Sequence, residues 1–373
     1  MASRFLVPPR RLPAVVAARM AVLVVSVSLL LGVMPGSILA GIDVPKWDTF
    51  KSGFTVGAPG SSAKWFYFAA ATFVGDDGIA TTGPNGLSVR SSGTVDGHPA
   101  FTKTVGQEQV SGLPGGFDHV KWLVYMNHFA STGLPGFDAL PRQQVVCQST
   151  IGGRSFGNAQ HPFGSAVTNP DDDPRLAAMA MNVIDFDSFM VFDMFFTNQG
   201  IYALYEHLPF ARGSFGGPYN EYAAFTYVIP IASRTPGDTH DLAVAYDKDA
   251  GIVRWLVDGK EKFRVDRIGF RIDRKFMLLD HGGVDTAFSP NQLDCGMGMF
   301  TLLDGHAPQG DATGKGLVQL STVPGFYFNP AVGAPTGETF VDPNSDASSR
   351  LWGEGAELSV RVATVGYLPG LKK

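Results

Sequence analysis

Residues 240–265, HDLAVAYDKDAGIVRWLVDGKEKFRV, decide the fold. Residues 241–246 and 252–257 alternate or run apolar as half-buried strands do, Asp249-Ala250-Gly251 closes the first gap, and Asp258-Gly259 closes the second. The segment therefore reads as three strands and two turns. Outward from it the texture stays the same. Upstream lie HVKWLVYMNHF (119–129), IDFDSFMVFDMFF (184–196), IYALYEHLPF (201–210) and AAFTYVIPI (223–231); downstream come FMLLD (276–280) and the alternating ELSVRVATVGY (357–367). In 119–129, alternation places Trp122, Val124 and Met126 on one face and Lys121, Leu123, Tyr125 and Asn127 on the other. Residues 175–182 have apolar positions compatible with one short helix or with a strand. No fixed-period repeat appears.

Composition agrees. With 45% hydrophobic and 17% charged residues the chain can build a large core, and 45 Gly, 25 Pro and 28 Phe suit short aromatic strands joined by many tight turns. The expectation is an all-β, two-sheet antiparallel sandwich with long loops, one domain over residues 41–373. A net charge of −5 leaves no basic surplus for phosphates, so no nucleic-acid partner is expected.

The first 40 residues read as an address. Arg4, Arg10, Arg11 and Arg19 precede an apolar run over 20–34, followed by Pro35-Gly36 and Ile38-Leu39-Ala40. That order fits a secretory signal peptide cleaved after Ala40, and the run is shorter than the ~20 residues of a spanning helix, so no stable membrane span is expected after cleavage. In a secreted chain Cys147 and Cys295 can form a disulfide or stay as two buried thiols. The run Asp171-Asp172-Asp173 offers the carboxylates a structural calcium takes and reads equally as a solvated turn; no other cofactor is expected.

DLAVAYDKDAGIVRWLVDGKEKF (241–263) resembles the strand pair near the centre of concanavalin A-like lectins and glucanases, in which a strand ending in Tyr or Trp, a short turn, and a strand closing on Val-Asp-Gly follow one another. Here these are Tyr246, residues 247–251 and Val257-Asp258-Gly259. FMLLDHGG (276–283) and ELSVRVATVGY are similar to later strands of the same jelly roll. At a closer level, GDDGIATTGPNGLSVRSS (75–92), AQHPFGSAVTNPDDDPRLAAM (159–179) and LDCGMGMF (293–300) resemble a family of secreted bacterial and fungal proteins of unknown function. The resemblance implies a concanavalin A-like sandwich that binds or processes polysaccharide, as a glycoside hydrolase or polysaccharide lyase if it is an enzyme. A non-catalytic extracellular adhesion or structural module is the alternative.

The glucanase chemistry needs paired carboxylates on one strand, yet neither Glu-x-Asp-x-Glu nor Glu-x-Asp-x-x-Glu occurs. In 201–207 alternation places Tyr202, Leu204 and Glu206 on the face where such acids would stand. Glu206 is a candidate acid/base, and Tyr202 a sugar platform or nucleophile. In 185–193, one strand would put Asp185, Asp187, Phe189, Val191 and Asp193 on one face, with the Asp185 and Asp187 Cα atoms roughly 6.6 Å apart. Asp193, flanked by Val191 and Phe195, is either a buried hydrogen-bonding group or a cleft acid with a raised pKa. The catalytic candidates are thus Glu206, Tyr202 and Asp193. Tyr205 and His207 share the opposite face, and Asp280-His281 would point to opposite faces of their strand. Two carboxyls, or a Tyr/His/Arg group, converging in a groove would favour an enzyme; a shallow aromatic strip alone would favour binding.

Overall fold

The computed structural model describes residues 46–108, 112–307 and 314–372. The expected signal peptide lies outside them. Residues 240–265 form the strands Thr239–Asp247, Ile252–Val257 and Lys260–Val265, paired antiparallel. Asp258 and Gly259 take φ values of 51° and 74°, the two positive angles that a two-residue hairpin turn needs to match strand twist. In the first turn the Ala250 N–H donates to the Asp247 carboxylate at 2.9 Å.

Among the described residues these strands begin an eight-stranded antiparallel sheet that continues through Gln143–Phe156, Gly355–Pro369, Gly86–Ser91 and Gly78–Gly83, with Lys46–Asp48 also paired to the strand Gly355–Pro369. The second sheet has ten strands among the described residues. Its main path runs Trp65–Tyr67, Val120–Met126, Gln292–Phe300, Ala178–Asp185, Met190–Val191, Gly200–His207, Phe225–Ser233 and Met277–Asp280. The inner faces of the two sheets enclose one core containing Trp122, Met181, Tyr205, Tyr246, Trp255 and Leu358. The expected two-sheet antiparallel sandwich is therefore the fold. On the far side of the second sheet, a further apolar cluster that includes Leu123, Tyr125, Phe195 and Leu204 lies beneath loops.

Of the two readings open for residues 175–182, the strand is the one formed: Ala178–Asp185 is a strand buried along its whole length, and covering both faces of a strand produces a continuous apolar run that hides the period of two. One local reading is corrected, since residues 185–193 are not one strand. The strand ends at Asp185, whose carboxylate accepts from the N–H groups of Asp187 and Ser188 at 3.1 and 3.2 Å and from the Ser188 hydroxyl at 2.5 Å. The chain then turns, with Phe189 at a φ of 57°. Asp187 accepts instead from the Tyr219 hydroxyl at 2.7 Å, so the two carboxylates do not act as a pair.

Cys147 of the first sheet and Cys295 of the second are joined by a disulfide, with Cα atoms 5.7 Å apart and a separation of 148 positions in sequence. The bond ties the two layers together through the core. For a loop of this length the chain-entropy model gives a stabilisation of about 5 kcal/mol. Replacing both cysteines with serine, or reducing the protein, is expected to lower the unfolding free energy by roughly 3–5 kcal/mol in a urea titration. A shift below 1 kcal/mol would mean that the crosslink contributes little beyond the packing around it.

Candidate active site

The strand Gly200–His207 supplies the starting point. Ala203 and Tyr205 point into the inter-sheet core, while Leu204 and Glu206 point to the outer face. The same alternation turns Leu123 and Tyr125 of the strand Val120–Met126, further along the same sheet, outward. Between this face and the loops above it lies a cavity of about 110 Å³. Its walls are mostly apolar, with Phe117, Phe195, Phe210, Phe300 and Phe326 among them, and its polar groups are Tyr125, Asn182, Asp193, Glu206, His119, His281 and Asp304.

Glu206 is half-buried, and the Thr226 hydroxyl on the adjacent strand donates to its Oε1 at 2.5 Å. Oε2 makes no hydrogen bond among the described residues. Burial pushes the Glu206 carboxyl up to about 7, against the opposing pull of the Thr226 hydrogen bond and the nearby His119. Facing the same cavity, His119 Nε2 meets Asp304 Oδ1 at 2.5 Å, and the Tyr327 hydroxyl donates to Asp304 Oδ2 at 2.7 Å. Burial opposes charge on His119, but the Asp304 carboxylate outweighs it and raises the imidazole pKa. Burial likewise opposes charge on Asp304, yet His119 and the Tyr327 hydroxyl hold it below the usual carboxylate range. His119 and Asp304 therefore form an ion pair beside a carboxyl that gains or loses its proton near neutrality.

His281 has the opposite character. Its Nδ1 lies 2.7 Å from the Phe326 carbonyl, and a carbonyl only accepts, so Nδ1 carries the hydrogen and Nε2 keeps its lone pair. Burial lowers the pKa of this imidazole, keeping it neutral. Nε2 has no partner among the described residues, and neither does the hydroxyl of Tyr125, which is 4% exposed and lines the cavity.

The three sequence candidates fare differently. Glu206 and Asp193 line one cavity; Tyr202 does not. Its hydroxyl donates to the Asp172 carbonyl and carboxylate at 2.9 and 2.8 Å, and it lines a separate depression beside Arg175 and Lys315. Burial and the Asp172 hydrogen bond raise the Tyr202 pKa, so its phenol is kept neutral and is no ready nucleophile. Asp193 has both carboxylate oxygens occupied, Oδ1 by the Val183 N–H at 2.6 Å and Oδ2 by the Asn182 amide at 2.5 Å. Burial pushes its pKa well above the usual range. Asp193 is thus the buried hydrogen-bonding group of the two alternatives, and also a wall of the cavity.

The acidic run is similarly committed within the protein. Asp171 accepts from Asn198, Asp172 from Thr197 and Tyr202, and Asp173 from Arg175. Tyr205 and His207 are structural: the Tyr205 hydroxyl donates to the Phe270 carbonyl at 3.1 Å, and His207 stacks on Tyr222. His119, His281, Asp304 and Tyr125 escaped sequence reasoning as site residues. The one available signal was the pair of similar tetrads LDHG (279–282) and LDGH (303–306), which set Asp, His and Gly together where strands give way to loops.

Among solved structures, the chain is similar to an apo Crh5 transglycosylase, with 12% identity and a TM-score of 0.34 over 86% of this chain and 82% of that one. It is similar to the alginate lyase AlgAT5 from polysaccharide lyase family 7, with 7% identity and a TM-score of 0.31 over 78% and 82%. For the catalytic domain of an endo-1,3-beta-glucanase (laminarinase) from Thermotoga petrophila RKU-1, the identity is 9% and the TM-score 0.28 over 66% and 68%. In sequence, uncharacterized protein L829 of Acanthamoeba polyphaga mimivirus is 30% identical over 290 residues, 63% of this chain and 61% of that protein, so the chain spans less than two thirds of that relative. Residues 47–368 match one family model across nearly the whole described sandwich, and the chain belongs to that family, the family of unknown function DUF6081.

Proposed function

We propose that this protein is a secreted glycan-processing enzyme that cleaves a glycosidic bond by general acid–base catalysis, with Glu206 as the acid and His281 as the base. The observation that carries the reading is the pairing of opposite environments in one cavity: a carboxyl raised to about 7 and an imidazole held neutral with a free Nε2. Titratable groups driven apart in this way are the mark of an acid and a base at work. The convergence of the Glu206, Asp193 and Asp304 carboxyls on one cavity supports an enzyme over a simple binding strip. The glycan class rests on the resemblance of residues 241–263 to the concanavalin A-like strand pair, and secretion rests on the leader pattern of residues 1–40.

In the step itself, Glu206 gives its proton to the departing glycosidic oxygen as the C–O bond breaks. His281 Nε2 takes a proton from the attacking water, whose oxygen forms the new bond to the anomeric carbon. A covalent glycosyl-enzyme is not the favoured route, because burial disfavours the charged form of Asp193 and both its oxygens are engaged, while Asp304 is bound to His119 and Tyr327. His119 and Asp304 provide fixed charge close to the proton donor.

Purified mature protein screened against bacterial, fungal and plant polysaccharides should release reducing ends from at least one of them. Glu206→Gln should lower kcat roughly 10²–10⁴-fold with little change in KM. The pH profile should fall above about 7 as Glu206 loses its proton, and below the ordinary histidine value as His281 gains one. Binding without product from any polysaccharide would sink the enzyme and leave the adhesion or structural module. A second outcome concerns stability. Glu206 ionises near 4.5 when unfolded and near 7 when folded, so wild-type stability falls as pH rises through that window. The stability advantage of Glu206→Gln over wild type should grow between pH 4.5 and 7 by at most about 3 kcal/mol and then level off. A constant difference across pH, read by urea unfolding, would show that burial does not raise this pKa.

A further inference from the structure

The cavity has an arm of different chemistry. Phe68, Phe117, Ile184, Leu208 and Phe210 wall both the cavity and an adjoining depression of about 470 Å³. The rest of the arm is built from Pro59, Phe66, Tyr67, Ala69, Ala70, Phe186 and Phe189, so the Tyr67 hydroxyl is the one polar side-chain group in its lining. The link between arm and chemistry is direct: the Phe186 ring packs edge-on against Tyr125 with centroids 5.1 Å apart, and Phe66 lies 6.0 Å from the same ring. Tyr125 is also a wall of the acid–base cavity.

A sugar ring carries hydroxyls around its edge, and each one taken out of water without a partner costs free energy. The arm has almost nothing to offer such hydroxyls. An aliphatic chain loses nothing there and gains by leaving water. The polar groups needed to orient a sugar are all at the other end, where Glu206, His281, Asn182 and Tyr125 meet. We infer that the arm binds an alkyl or acyl chain, so that the substrate is an amphiphilic glycan with its sugar in the cavity and its aliphatic substituent in the arm. This rests on the acid–base reading for the sugar end, while the arm stands on its own geometry.

Headless probes separate the two. Linear alcohols from butanol to decanol, titrated calorimetrically into wild type and Glu206→Gln, should bind both proteins alike. Their affinity should rise about three- to fourfold per methylene until the arm is full. Ala70→Trp, on the hairpin that rims the arm, should flatten the series; Ala69→Trp, on the exposed side of the same hairpin, serves if the first variant melts abnormally. A flat series in wild type overturns the inference, as does an unchanged slope in a folded tryptophan variant. Either result leaves standing any glycan cleavage that depends on Glu206, and so distinguishes failure of the arm from failure of the reaction. A matching preference for long-chain over methyl glycosides, absent from the tryptophan variant, completes the supporting case.

Discussion

The indole N–H of Trp255 crosses the sandwich to the backbone carbonyl of Asp193 at 2.9 Å, and the geometry of the site depends on that hydrogen bond. Trp255 is fully buried in the first sheet, where an unpaired N–H would be costly, and its partner lies in the second. The same carbonyl accepts the Leu204 N–H at 2.9 Å. At Phe192-Asp193 the chain leaves regular pairing between the short strands Met190–Val191 and Met194–Phe196. A side chain takes over one missing connection there, since the Asp193 carboxylate receives the Val183 N–H. One residue thus stitches three strands, and Glu206 projects from the strand it holds, two positions beyond Leu204.

Burial then supplies the chemistry. The loops that cover the outer face of the second sheet remove water from Glu206, Asp193, His119, His281 and Asp304 alike, yet the five respond differently because their partners differ. His119 and Asp304 have each other and keep their charges. His281 hydrogen-bonds to a carbonyl, which gives it no opposite charge to hold a proton against burial, and it stays neutral. Glu206 has one hydroxyl donor, enough to moderate the rise of its pKa but not to cancel it. A desolvated site with no internal ion pair would be neutral throughout and electrostatically inert; one with every group paired would have no proton to move.

The sandwich was legible because its signals are local. The hairpin in residues 240–265 follows from Asp-Gly chemistry and strand alternation, and the turn sets Val257 opposite Lys260, although the register then shifts between Trp255 and Leu256, which alternation does not announce. Glu206 and the outward face it shares with Leu204 were legible for the same reason, since a period of two needs no knowledge of neighbours. What failed was anything set by the third dimension. Residues 185–193 look like one strand because turns built on an aspartate cap leave the apolar texture intact. His119, His281 and Asp304 come from three segments far apart in sequence, and their meeting is fixed by strand order in the sheet, which periodicity does not encode. The disulfide was open for the same reason: two cysteines 148 residues apart say nothing of a 5.7 Å approach.

Leu204 gives this site its distinct character. The alternate positions of the strand Gly200–His207 that face away from the inter-sheet core hold Tyr202, Leu204 and Glu206. A carboxylate in the middle position would raise the pKa of Glu206 by like-charge repulsion, and that repulsion would change as soon as either group bound a proton or a substrate. With leucine there, the rise comes from burial and is built into the walls. Tyr202 is held by Asp172 outside the cavity, so the proposed acid–base chemistry belongs to the other end of the strand, where Glu206 lines the cavity with His119 and His281. The aromatic arm beside them fits that proposed division: the hydrophobic walls that keep water from Glu206 would also offer a surface to the apolar part of the proposed substrate.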